Sequence, residues 1–128
     1  MKLTENFSLS EFKCKCGNCT MDSIVKSNIK ILARELQVLR EAIQKPISIN
    51  SGYRCDEHNK AIGGVKYSKH LLGMAADIRV DGMNPKEVAE VVEQLIDDNK
   101  IINGGLGIYP SFVHFDIYQP TKKRRWNY

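Results

Sequence analysis

"SKHLLGMAAD", residues 68–77, places a histidine and an aspartate seven positions apart with only apolar or small residues between them. Two readings compete. In one, His70 is a hydrogen-bonded core histidine and Asp77 an unrelated acid. In the other, both hold one metal ion. The next residues decide the local fold: "AADIRV" is a strand pattern, so Asp77 lies in a strand and His70 just ahead of it. A third donor, His114, falls in "FVHFD", another strand pattern. Two imidazoles and one carboxylate suit zinc with an open fourth position, the mark of a catalytic rather than a structural zinc site. Such an ion polarises a carbonyl and lowers the pKa of its water. Gly73, Ala75 and Ala76 are small enough for the chain to turn tightly between the ligands.

Working outward, Ile24, Ile31, Leu32, Leu36, Leu39 and Ile43 recur at helical spacing, which predicts a helix from about Met21 to Ile43 that ends ahead of Pro46. "PISINSGYR" reads as a short strand with Ile47 and Ile49 on one face and a turn at Ser51-Gly52. A short helix follows from Asp56 to Ile62 and stops at Gly63-Gly64. Asn84 and Pro85 open a second long helix, with Val88, Val91, Val92, Leu95 and Ile96 as its apolar face. "GGLGIYPSFVHFDIY" holds two strands joined at Tyr109-Pro110. Helices alternating with short strands, and a final hairpin, define a small α+β domain of antiparallel character.

The 128 residues suit one domain, 1–128, and 42% hydrophobic residues suffice for a core without disulfide staples. No apolar run approaches the roughly 18 residues that a membrane span needs. The opening "MKLTENFSLSEF" alternates polar and apolar residues and does not read as a signal peptide, so export would need another route. Much of the +4 net charge lies in Lys122, Lys123, Arg124 and Arg125, which read first as a solvated tail and second as an attraction to an anionic polymer. Cys14, Cys16, Cys19 and Cys55 read as free thiols in a reducing compartment. A four-thiolate zinc site or a disulfide are the alternatives, since only Cys16 and Cys19 form a CxxC pair.

"SGYR" at 51–54, "SKHLLGMAAD" at 68–77 and "FVHFDI" at 112–117, in that order, resemble the zinc D-Ala-D-Ala peptidase family. The likeness covers nearly the whole chain, including "NFSLSEFKC", and is strongest to small single-domain members found in phages and prophages, of carboxypeptidase or L-alanyl-D-glutamate endolysin type. It implies a hedgehog/D-Ala-D-Ala peptidase fold, a small antiparallel sheet flanked by helices. It implies Zn2+ held by His70, Asp77 and His114, and hydrolysis of peptidoglycan stem or cross-link peptides. The SGYR arginine, Arg54, would anchor the substrate, as a guanidinium fork suits a carboxylate or peptide carbonyl. Ser68 and Tyr53 fall with the substrate-binding group, although Ser68 also reads as a turn cap and Tyr53 as packing. The implied protein is a monomer made in the cytoplasm and acting at the bacterial cell wall, with no nucleic-acid or membrane partner.

One departure bears on mechanism. Many relatives carry an acid three residues before the last histidine, as general base; here it is Ser111. Asp116 is the nearest carboxylate, and residues i and i+2 of a strand share a face, so it is expected either to serve as base or to orient His114. His58 is a further candidate, read otherwise as an exposed helix residue. Ser111 also motivates an alternative, a catalytically inactive zinc-containing cell-wall-binding or structural module. A basic DNA-binding domain with a cysteine-held zinc is the weakest reading, for no helix-turn-helix or paired finger spacing is present.

Overall fold

The computed structural model describes residues 1–119 and 122–128. Asp22 starts the first long helix by accepting a hydrogen bond from the backbone N–H of Val25 at 2.8 Å. This helix, α1 (Ser23–Ile43), ends at Gln44, whose backbone is left-handed (φ 53°). Its buried seam is Val25, Ile29, Leu32, Leu36 and Leu39, at alternating spacings of four and three. The sequence reading placed Ile24 and Ile31 on that seam. They are 72% and 37% exposed, because at about 100° per residue they share a flank turned from the core. Replacing Leu32 with alanine is expected to cost about 2–5 kcal/mol. Ile24→Ser should stay within about 0.5 kcal/mol of wild type. Urea midpoints measure both, and equal shifts would refute the assignment of the seam.

Strand β1 (Ile47–Ser51) leads into the short helix α2 (Asp56–Ala61), a 3-10 turn at Lys69–Leu72 and strand β2 (Ala75–Val80). Helix α3 (Pro85–Asp97) begins with a reciprocal cap. The Asn84 side chain accepts from the Glu87 N–H, and the Glu87 carboxylate accepts from the Asn84 N–H, both at 2.9 Å. The hairpin β3 (Leu106–Ile108) and β4 (Val113–Asp116) follows, then β5 (Arg125–Asn127).

Among the described residues the sheet runs β1-β2-β4-β3-β5. Its pairings are antiparallel except at the β5 edge, which joins β3 in parallel. The α+β class and the helix-flanked sheet follow the sequence reading, while the basic end departs from it. Arg124 and Arg125 are not a solvated tail: Arg125 starts an edge strand and is held by Glu93 of α3 at 2.8 Å. No local pattern marks a three-residue strand whose partner lies some twenty residues back.

One sheet face joins the apolar sides of α1 and α3 in a single core, through Ile78, Val80, Val113 and Phe115. Alternation along the strands sends the intervening residues to the other face. A slip in the β1–β2 ladder between Ile49 and Ser51 sets Ser51 opposite Asp77. Asp77 then faces His114, His114 faces Gly107, and Gly107 faces Trp126. These five residues form one transverse row across five strands, and the candidate site is built on it.

Candidate metal centre

Asp77 and His114 are cross-strand partners, so register alone brings their side chains together. His70 arrives from outside the sheet, on the 3-10 turn that Ser68 caps through its hydroxyl, which accepts from the His70 N–H at 3.1 Å. Gly73 closes that turn with φ +72°, and a Cβ there would meet the Val25 carbonyl oxygen at 2.8 Å. The turn can therefore lie directly against α1 only because residue 73 has no side chain.

Each imidazole is fixed from behind. His70 Nδ1 lies 2.7 Å from the Gly52 carbonyl oxygen, which only accepts, so Nδ1 carries the proton and Nε2 presents its lone pair forward. His114 Nε2 lies 2.8 Å from Asp116 Oδ2, which leaves His114 Nδ1 as the forward atom. Those forward atoms lie 3.2 and 3.1 Å from Asp77 Oδ1. Ligand atoms of His70, Asp77 and His114 all lie within 4.8 Å of one another. Three lone-pair donors converging on one point repel unless a cation or a proton sits among them, and a two-histidine, one-carboxylate set suits zinc. The residues present fit the ion that the sequence implies.

The electrostatics agree. Burial alone would raise the Asp77 carboxyl, but the His114 and His70 rings set against it outweigh that and hold Asp77 well below the usual carboxylate range. Burial would depress His114, yet Asp116 and Asp77 on either side raise it above its ordinary value. Burial would also raise Asp116; bonds from His114, Arg124 and the Gly105 N–H pull it down to about 2.

Arg54 donates from Nη2 to Asp77 Oδ2 at 3.1 Å, from Nε to the Ser51 hydroxyl at 3.0 Å and from Nη1 to the Asn59 side-chain oxygen at 3.2 Å. It thus steadies the carboxylate ligand. A guanidinium has five N–H groups, so two have no partner among the described residues, and Arg54 lines the pocket. That pocket, about 510 Å³, is also lined by Ser68, Lys69, Tyr109, Arg124 and Trp126, with Asp77 its one acidic residue among those described.

Other expected residues fall elsewhere. Asp116 is fully buried and is absent from the pocket wall. It accepts from His114, from the Gly105 and Tyr118 N–H groups and from both terminal nitrogens of Arg124. Of its two expected roles, base or orienting group, these contacts fit the second, since donors surround both oxygens. Tyr53 packs against the hydrophobic core and is absent from the pocket wall, and its N–H is tied to the Phe12 carbonyl. His58 and Ser111 also lie off the pocket wall.

Sequence reasoning missed Arg124, Tyr109 and Trp126. The Trp126 ring centroid lies 5.0 Å from that of His114, and its indole N–H donates to the Tyr109 hydroxyl at 3.0 Å. A Cβ on Gly107 would run into the indole, so the opposed glycine clears its place. One signal was available: the single tryptophan of the chain stands in "RRWNY", a composition unlike a solvated tail.

The fold and the site together define a class, a small α+β domain that presents a His–Asp–His metal centre in an open basic pocket. The family model described as Peptidase M15 matches residues 5–116, and the chain belongs to that peptidase family. A curated relative, the zinc D-Ala-D-Ala carboxypeptidase of Streptomyces albus G, is 32% identical over 78 residues, 57% of this chain and 31% of the relative. The chain therefore spans about a third of that relative's length. Among solved structures, the L-Ala D-Glu endopeptidase ChiX of Serratia marcescens superposes with a TM-score of 0.49 at 18% identity, covering 81% of this chain and 93% of that one.

Proposed function

We propose that this chain is a zinc metallopeptidase that hydrolyses peptidoglycan stem or cross-link peptides, of D-Ala-D-Ala carboxypeptidase or L-Ala-D-Glu endopeptidase type, with His70, Asp77 and His114 as the ligands. The observation that carries the proposal is the convergence of these three donors, with both imidazoles fixed from behind, in a chain of the Peptidase M15 family. Bound there, zinc supplies Lewis acidity to a carbonyl and lowers the pKa of a water. The chain's own residues do the rest. Arg54 turns its free N–H groups to a substrate carboxylate or carbonyl while holding Asp77 in place. Ser68 holds the His70 turn and has a hydroxyl proton left to donate. Lys69 and Arg124 give the pocket a positive wall, suited to stem peptides, which carry several carboxylates. Trp126 and Tyr109 shield one side of His114 from water.

Purified peptidoglycan incubated with the zinc-loaded chain should release peptide fragments, and a chelator should stop the release. The masses of the products identify the bond. A second reading is supported by the pocket wall, where among the described residues Asp77 is the one acid and already faces both histidines. A site without a spare carboxylate suits a binding module that retains zinc but does not turn over. Cosedimentation with cell walls and no fragment release at any zinc concentration would favour that module and reject the peptidase.

A further inference from the structure

Beyond this centre, the fold gathers all four cysteines. Cys14, Cys16 and Cys19 come from the segment after the first 3-10 turn (Leu9–Phe12), and Cys55 stands ahead of α2. Cys14 Sγ lies 3.7 Å from Cys55 Sγ, and Cys55 Sγ lies 3.8 Å from Cys16 Sγ. All four sulfurs lie within 4.8 Å of one another. Zinc–sulfur bonds of about 2.3 Å in tetrahedral array set neighbouring sulfurs about 3.8 Å apart. The two measured edges match that tetrahedron without adjustment. The sulfurs also accept backbone hydrogen bonds, from the Cys55 N–H to Cys14 at 3.4 Å and from the His58 N–H to Cys55 at 3.5 Å. N–H groups aimed at sulfur favour the thiolate, the form that binds metal.

We propose that Cys14, Cys16, Cys19 and Cys55 form a second, structural zinc site with four thiolate ligands. The sequence reading preferred free thiols because only one CxxC pair exists. The fourth ligand comes from 36 residues beyond Cys19 in the chain, and only folding supplies it. Lys13 and Lys15 alternate with the cysteines and offset the charge of four thiolates.

The site ties the N-terminal segment to the stretch that serves the first centre. The Tyr53 N–H donates to the Phe12 carbonyl at 2.9 Å, and a Cβ on Gly52 would come within 2.8 Å of the Phe12 backbone. The Gly52 carbonyl holds His70, and the next residue but one is Arg54. A zinc clamp at Cys55 thus immobilises the backbone that orients one ligand and carries the substrate arginine.

The test uses the full chain, purified without chelator under reducing conditions. Metal analysis should find two zinc ions per chain, one for each donor group. His114→Ala should retain one, as should Cys16→Ser combined with Cys19→Ser. Cobalt substitution separates the two: sulfur-to-cobalt charge-transfer absorption should persist in His114→Ala and vanish in the double cysteine variant. Should that variant not fold, the wild-type protein decides: its thiols should resist a disulfide-exchange reagent until a chelator is added. Thiols that react equally fast with and without chelator would overturn the proposal. So would a cobalt-loaded protein without the thiolate band, or a mass showing that the cysteines have paired as disulfides. Loss of the His–Asp–His metal alone would leave it standing.

Discussion

His114→Ala is expected to abolish zinc binding at the His–Asp–His centre and to reduce peptidoglycan hydrolysis to background. Three ligands hold the proposed ion, so removing one leaves His70 and Asp77, too few for a tetrahedral site with one open position. The loss goes further than one donor. His114 stands between Asp77 and Asp116 in the cross-sheet row, and its removal leaves two carboxylates facing a void. Both are buried, and a buried unpaired carboxylate is costly. Zinc content at the centre and fragment release are the measurements. Full activity with an unchanged metal content would refute the ligand assignment. A related pH effect follows from the same position. The neighbouring carboxylates raise His114's affinity for a proton, and proton and metal compete for Nδ1. Zinc affinity should therefore fall as the pH is lowered through the His114 pKa, while Asp116, pulled down to about 2, stays ionised throughout.

Asp116→Asn is expected to lower zinc affinity at this centre by about 10–100-fold, although residue 116 is not a ligand. Asp116 fixes the proton on His114 Nε2 and turns Nδ1 toward Asp77. The carboxylate is surrounded by donors alone: the imidazole, two backbone N–H groups and the Arg124 guanidinium. An amide of the same size must point an NH2 group at some of them, and Arg124 loses its counter-charge. The ring then loses both its preferred tautomer and its anchor. Zinc titration of the folded variant measures the effect, with Arg124→Gln as a comparison that spares the His114–Asp116 contact. If Asp116 were instead the base, the amide would remove hydrolysis while leaving zinc affinity at the wild-type value, the opposite pattern. Its burial and full set of donors argue for the affinity loss.

Much of this was legible in the residues. The helices over residues 23–43 and 85–97 follow from apolar periodicity, and Asn84 makes the cap bond expected of it. "AADIRV" and "FVHFD" read as strands and are strands. His70, Asp77 and His114, read as one metal-binding set, converge on one point. Less legible were directions. Tyr53 was read both with the substrate group and as packing, and it packs on the core. Asp116 was read as base or orienting group, and the five donors that favour the second role meet only in the fold.

The sequence by itself determined which segments are helix or strand and which side chains could hold a metal. Periodicity, caps and turn residues act over a few positions, and a reader of the chain meets them in order. The tertiary structure decided what faces what. The row from Ser51 through Asp77, His114 and Gly107 to Trp126 depends on the register of five strands, including a bulge and a parallel edge strand formed by the basic end. The meeting of Cys55 with the three earlier cysteines depends on the N-terminal segment packing against Gly52. Such pairings join residues tens of positions apart, and their free energy comes from packing and hydrogen bonds that exist only once the sheet has closed.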